Sequence, residues 1–233
     1  LVTGGRAILD GHYNGKIENP RLFRRALDPS RLEALAGSSL ATWGADLVGA
    51  WDFSRDISSE RITDLSPNRL HGETINLPTR AITGSGWSGA PMDWTKAPEA
   101  WGAIHFHDDD LYDAGWDEDF TLTVPSNLRS GIYAARLRSG AHEEYIPFAV
   151  RPRPGQEAKV ALLLSTATYM AYANGRSTMH GRMTELFIDG LVILYPKDLF
   201  LNAHPEYGNS LYDRHTDGSG VCYSSRLRPM LNM

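Results

Sequence analysis

The chain has a single cysteine, Cys222, so no disulfide can form within it. That favours a reducing, cytoplasmic setting. No apolar run approaches the roughly 20 residues that span a bilayer. The opening stretch, residues 1–9, carries Arg6 and two glycines where a secretion signal would be continuously apolar. Basic residues are in deficit, 23 Lys and Arg against 28 Asp and Glu, and they are scattered. Such a surface offers neither the basic stripe that binds nucleic acid nor the polybasic patch that binds lipid headgroups. Short catalytic signatures are missing too: no nucleophile elbow, P-loop, HExxH or CxxC. There is no internal repeat and no low-complexity tract. Cys222, between Val221 and Tyr223, reads as a buried small apolar residue. The chain opens without Met and both ends fall in mid-pattern, so it reads as a fragment of something longer.

What is present is a core-forming composition, 42% hydrophobic over 233 residues. Residues 1–90 are rich in turn residues and short apolar alternations, the pattern of a β-sandwich. Strands are expected at Gly15–Ile17, near Arg21 and Leu22, over Leu47–Phe53, and at Ile62–Asp64. Asp28-Pro29 followed by Leu32 and Leu35 reads as a capped short helix ending at Gly37. The tract 84–98, with Gly, Ser, Pro and two Trp, is the best candidate for a domain boundary. Residues 91–155 carry four strand patterns, Ala103–Phe106, Phe120–Val124, Gly131–Leu137 and Tyr145–Val150, which suggest a small immunoglobulin-like sandwich. The segment Arg151-Pro152-Arg153-Pro154-Gly155 reads as a stiff linker. The continuous apolar run Val160–Leu164 then reads as a strand buried on both faces, opening an α/β domain over 156–233. A second hydrophobic stretch, Leu186–Tyr195, has no clear periodicity.

Two constellations carry chemistry. The densest is His105-Phe106-His107-Asp108-Asp109-Asp110. On a strand, His105 and His107 share a face. Two imidazoles and a carboxylate can hold zinc or another divalent ion, or can simply mark a strand running into an acidic turn. The other is a pair of tyrosine-bearing polar segments, Ala167–Gly175 and Asn209–His215, the first following the Val160 run as a site loop follows a strand. A phenol, with a pKa near 10, becomes a ligand only against a hard, highly charged metal such as ferric iron. Two phenolates and a carboxylate would leave open positions for water and substrate. Tyrosines packed at a domain interface give the same spacing.

Several of these phrases together resemble the large subunit of N,N-dimethylformamidase. They are Asn14–Leu22, Arg25-Ala26-Leu27, Trp51-Asp52-Phe53-Ser54, Asp64–Asn68 with His71-Gly72, Asn76–Ala81, Gly102–Trp116, Ser130–Leu137 and Thr168–Asn174. The resemblance covers essentially the whole chain. It implies a mainly β, multidomain fragment: the end of a laminin-G/concanavalin-like jelly roll (1–90), the immunoglobulin-like β-sandwich (91–155), and the start of a glutamine-amidotransferase-like α/β catalytic domain (156–233). It implies an amidohydrolase that converts N,N-dimethylformamide to dimethylamine and formate. It further implies a mononuclear ferric iron held by two tyrosines and a glutamate, and a small helical partner subunit with higher oligomers. Carried onto this sequence, the iron ligands and catalytic residues are Tyr172 and Tyr212, with Tyr169 the alternate for the first and the glutamate expected beyond Met233. Such a fragment alone would bind iron weakly and not turn over. Under this reading His105 and His107 need not be ligands and instead organise the interface between the small sandwich and the α/β domain, and the role of Asp108 stays open. Asn174 and His215 either orient substrate or water or serve as a loop cap and a solvated imidazole. Two other classes fit fewer residues. One is a carbohydrate-binding β-sandwich using Trp43, Trp51, Trp87, Trp94 and Trp101 as stacking platforms. The other is a zinc enzyme built on His105, His107 and the neighbouring aspartates.

Overall fold

The computed structural model describes residues 2–3, 6–7, 11–35, 39–176, 185–186, 189–191 and 193–231. They form two compact units, one of Leu1–Gly115 with Ala167–Met233 and one of Trp116–Thr166. The described residues are mainly β, in several antiparallel sheets with few helices.

In the larger unit, β1 (Val2–Thr3) pairs with β2 (Arg6–Ala7). Strands β3 (Gly15–Glu18), β8 (Thr79–Ile82) and β9 (Ala103–Phe106) form a three-stranded sheet in the order β3-β9-β8. Strands β4 (Arg21–Phe23), β5 (Leu47–Asp52), β6 (Arg61–Asp64) and β7 (Gly72–Glu73) form a four-stranded one in sequence order. Two apolar clusters form among the described residues. Trp43, Leu47 and Ala50 take Phe23, Leu27, Leu35 and Leu40 against them. Phe53, Ile62 and Ile104 take Ile17, Trp51 and Phe106. Helix α1 (Pro29–Glu33) starts as its sequence dictates: the Asp28 side chain accepts the Arg31 N–H at 3.0 Å and Pro29 opens the first turn. Its last residue is Glu33, and Gly37 lies outside the described residues.

Polar groups fix the connections. The Asp64 carboxylate is buried and accepts the N–H of Ala50, Ser66 and Leu70 at 2.7–2.8 Å and the Ser66 hydroxyl at 2.7 Å. Burial pushes this carboxyl up, but those hydrogen bonds outweigh it and hold it below the usual range. From β8, Arg80 reaches into the β5–β6 turn. One terminal nitrogen donates to the carbonyls of Asp56, Ser59 and Arg61, the other to those of Phe53 and Arg55. The tract 84–98 is irregular and joins β8 to β9, which are neighbours in one sheet. Four of the tryptophans, Trp43, Trp51, Trp87 and Trp101, are packing residues. Trp43 is buried edge-on to Phe23 at 5.1 Å, Trp87 meets Trp101 at 6.1 Å, and the Trp51 indole donates to the Leu70 carbonyl.

The second unit holds one hairpin, β10 (Gly131–Ser139) with β11 (His142–Val150), in register from Gly131↔Val150 to Ser139↔His142. Two expectations are corrected here. Phe120–Val124 is not a strand, and Ala103–Phe106 pairs within the larger unit's sheet. Period-two alternation reports an extended chain with one apolar face, whereas the pairing partner is chosen non-locally. The Val160–Leu164 run is likewise no buried strand: Val160, Leu162 and Leu163 are 85%, 72% and 91% exposed, and the run joins no ladder among the described residues.

After it come α2 (Thr166–Tyr172), α3 (Pro196–Ala203) and mostly irregular chain. The stretch 186–195 lies partly outside the described residues. Cys222 is exposed, another correction: it sits in irregular chain at 221–225, its thiol 3.6 Å from the Gly220 carbonyl. Among the described residues no helix is long and apolar enough to cross a membrane.

Candidate functional site

Tyr172 ends α2, and the helix stops there because Asn174 takes a left-handed backbone (φ 61°). The Gly175 N–H closes onto the Tyr172 carbonyl at 2.9 Å. Asn174 is fully buried. Its amide donates to the carbonyls of Tyr207 and Pro229, and its oxygen accepts the Leu231 N–H. Of its two expected roles, the loop cap is the one these contacts describe.

The second tyrosine segment folds against the first. The Leu211 N–H donates to the Ala171 carbonyl at 2.9 Å, and the Arg176 N–H to Asp213 at 3.0 Å. Within the segment the Ser210 N–H donates to Asp213 and the Tyr212 N–H to the Ser210 hydroxyl, a tight turn that presents Tyr212. Gly208, just before it, has φ 77°, and a β-carbon there would meet Leu111 at 3.1 Å and Arg228 at 3.3 Å. The outcome is that the rings of Tyr172 and Tyr212 stack, centroids 4.1 Å apart and 17° from parallel. Both stay accessible, 54% and 61% exposed. The Tyr212 phenol is pushed above its ordinary value, by its hydrogen bond to Tyr172 first and then by the cost of placing two phenolates together. Tyr169 sits one helical turn earlier, half-exposed, its carbonyl accepting the Ala173 N–H.

The histidine–aspartate strip begins as β9 leaves the middle of its sheet. The rings of His105 and His107 lie on one side, centroids 4.2 Å apart. Every residue from 105 to 110 except Phe106 and Asp110 reaches the 209–219 segment through a hydrogen bond. His105 Nε2 pairs with Asp217 at 2.8 Å, and His107 Nε2 with the Ser219 hydroxyl at 2.8 Å. The Asp108 carboxylate accepts the Thr216 hydroxyl at 3.2 Å. The Asp109 carboxylate accepts the Asn209 amide at 2.8 Å and pairs with His215 Nδ1 at 2.6 Å. Asp110 turns back to accept the His107 N–H at 2.9 Å.

The charges sort accordingly. Burial, then His215 and His105, push the His107 imidazole down. Burial also opposes a charged His215, but Asp109 outweighs it and the imidazole titrates higher than usual. Burial pushes the Asp110 carboxyl up to about 6. The Ser219 hydroxyl and N–H hold Asp217 well below the carboxylate range.

Two groupings in this strip bring ligand atoms within 4.8 Å of one another: His105, His107 and Asp217, and His107, Asp110 and His215. Neither fits a zinc centre well. In the first, His107 Nε2 is engaged by the Ser219 hydroxyl and His105 Nε2 by Asp217, each at 2.8 Å, so both candidate donor atoms already have partners. The His107 and His215 rings stack 3.6 Å apart and 4° from parallel, so their in-plane lone pairs run side by side. An ion at about 2.0–2.1 Å from both, as zinc requires, would stand far out of each ring plane. The strip is a hydrogen-bonded seam between β9 and the tyrosine-bearing segment.

Sequence reading found both tyrosine segments and the histidine pair. It missed the roles of Asp109, Asp213, Asn209 and Ser219. The run of three aspartates was visible, but their partners lie about a hundred residues away.

Residues 79–233 match the family described as N,N-dimethylformamidase beta subunit-like, C-terminal. The chain is 38% identical over 240 residues to the N,N-dimethylformamidase beta subunit of Paracoccus aminophilus, covering 100% of this chain and 31% of that protein. It is 35% identical over 236 residues to the N,N-dimethylformamidase beta subunit of an Alcaligenes species, covering 98% of this chain and 31% of that protein. The chain thus spans under a third of the length of the curated relatives it matches.

Proposed function

Because the chain belongs to the N,N-dimethylformamidase beta subunit-like family, we propose that it is part of an amidohydrolase that cleaves N,N-dimethylformamide to dimethylamine and formate. The observation that carries the reading is the contact between Tyr172 and Tyr212, two accessible phenols from separate segments, with ring centroids 4.1 Å apart. We place their phenol oxygens as two ligands of a mononuclear ferric iron, with Tyr169 the alternate for the first and a glutamate from outside these residues as the third. The donor set suits the ion: phenol oxygens are hard donors of the kind that bind ferric iron once deprotonated.

When bound, the ion supplies Lewis acidity to the amide carbonyl and charge to stabilise the developing oxyanion. The protein's own contribution is positional. The Asn174 cap fixes the end of α2, and the Ser210–Asp213 turn aims the Tyr212 ring. For both phenols to act as ligands, their protons would be released to the solvent that reaches both side chains. The tertiary amide has no N–H, so the substrate pocket needs few acceptors.

The finer architecture follows the same reading: a laminin-G-like jelly-roll portion, an immunoglobulin-like portion and the start of a glutamine-amidotransferase-like domain. The relatives' description as beta subunits supports a complex with a partner subunit; we take that partner to be small and helical. The test is dimethylamine release by the full-length protein in its complex. Tyr172→Phe and Tyr212→Phe are expected to abolish it with the fold intact. Wild-type rates in both variants would refute the assignment.

A further inference from the structure

We propose that Asp109 is a positioning residue that holds Tyr212 against Tyr172; the functional consequence rests on the two-tyrosine reading above. Tyr212 is 61% exposed, so packing on its own ring does little to place it. Its placement comes through the backbone turn that carries it. That turn is internally stiff, with Asp213 accepting the Ser210 N–H and the Ser210 hydroxyl accepting that of Tyr212. It therefore moves as one piece, and what anchors its ends decides where the phenol goes.

One carboxylate reaches both ends, while Arg176 also holds the turn, its guanidinium donating to Asn209 and its N–H to Asp213. Asn209 and His215 stand three residues before and three residues after Tyr212. Asp109 Oδ2 accepts the Asn209 amide at 2.8 Å, and Oδ1 pairs with His215 Nδ1 at 2.6 Å. His215 is nearly closed off from solvent, with His107 stacked over its ring. Asp109 projects from the loop that directly follows β9, the central strand of its three-stranded sheet, so the clamp is tied to that sheet. On the opposite side Leu211 hydrogen-bonds Ala171, beside Tyr172. The neighbouring Asp108 touches only the outer rim, at Thr216. It makes a natural control.

The experiment uses the full-length protein and the variants Asp109→Asn, His215→Gln and Asp108→Asn. Without added metal, tyrosines are photo-oxidised and the Tyr172–Tyr212 dityrosine peptide is quantified. With ferric iron, affinity and the phenolate-to-iron absorption are measured. Circular dichroism and melting report the fold. The clamp predicts a severalfold loss of the Tyr172–Tyr212 cross-link in Asp109→Asn and His215→Gln, and none in Asp108→Asn. It also predicts iron affinity reduced by about tenfold or more, the usual effect of removing a group that orients a ligand. Wild-type cross-linking in the folded Asp109 and His215 variants overturns the proposal, even if iron binds the parent. Loss of fold in both makes Asp109 a fold determinant and overturns it as well. A parent without the iron band whose cross-link still falls in Asp109→Asn rejects the iron reading and leaves the clamp standing.

Discussion

Replacing Arg80 with methionine removes one cation from five backbone carbonyls while keeping much of the side chain's apolar bulk. The guanidinium donates to Asp56, Ser59, Arg61, Phe53 and Arg55 at 2.6–3.1 Å, and the residue is 7% exposed. Burial lowers its pKa, and the nearby Asp56 carboxylate opposes that shift. Hydrogen bonds to a charged group contribute about 1.5–3 kcal/mol each, but five such terms do not add, because the surface side of the turn regains water. The loss expected is about 3–5 kcal/mol, as when one partner of a buried charge network is deleted. Lysine brings three donors to five acceptors, so Arg80→Lys should recover only part of it. Urea unfolding gives the magnitude, and hydrogen exchange over residues 53–61 localises it. A methionine variant within about 1 kcal/mol of wild type, an amount ordinary surface substitutions approach, would contradict the cage reading.

Asp64→Ala should cost about 2–4 kcal/mol in the same assay, since it orphans three backbone N–H groups at once. Because the folded Asp64 carboxyl lies below its unfolded value, its stabilisation is present above about pH 4 and disappears as pH falls through the folded value; acid titration of unfolding free energy in wild type and Asp64→Asn measures it. The Asp109–His215 pair has two limits. Its Asp109 part vanishes in acid by the same sign, and its His215 part, with a raised folded pKa, is complete below about pH 6.5 and is lost as pH climbs through the folded value. Stability measured from pH 6 to 9 should therefore fall less in His215→Gln than in wild type. Gly208→Ala should destabilise by about 1 kcal/mol or more, through strain at positive φ and the approach to Leu111.

Local signals in the sequence were reliable where local chemistry decides. Asp28-Pro29 predicts the start of α1, and the apolar alternations locate β5, β6, β9 and the two strands of the hairpin. Pairing was not legible, because alternation at Phe120–Val124 is identical whether or not a neighbour arrives. The apolar Val160–Leu164 run misled for a related reason: composition states a demand for burial and cannot say which chain meets it. At the site, the two tyrosine segments stood out as polar loops, yet their meeting depends on a backbone bond from Leu211 to Ala171 that no spacing reveals. The His105–Asp110 strip looked like a ligand set because metal sites and hydrogen-bonded seams use the same residues. Ring orientation separates them.

The central claim is that Tyr172 and Tyr212 act as a pair on one metal ion. The visible spectrum of the full-length protein, read beside its iron content, tests this most directly. The account predicts bound iron with a phenolate charge-transfer band that is lost or markedly shifted in Tyr172→Phe and in Tyr212→Phe. A colourless, metal-free protein that still releases dimethylamine would contradict it.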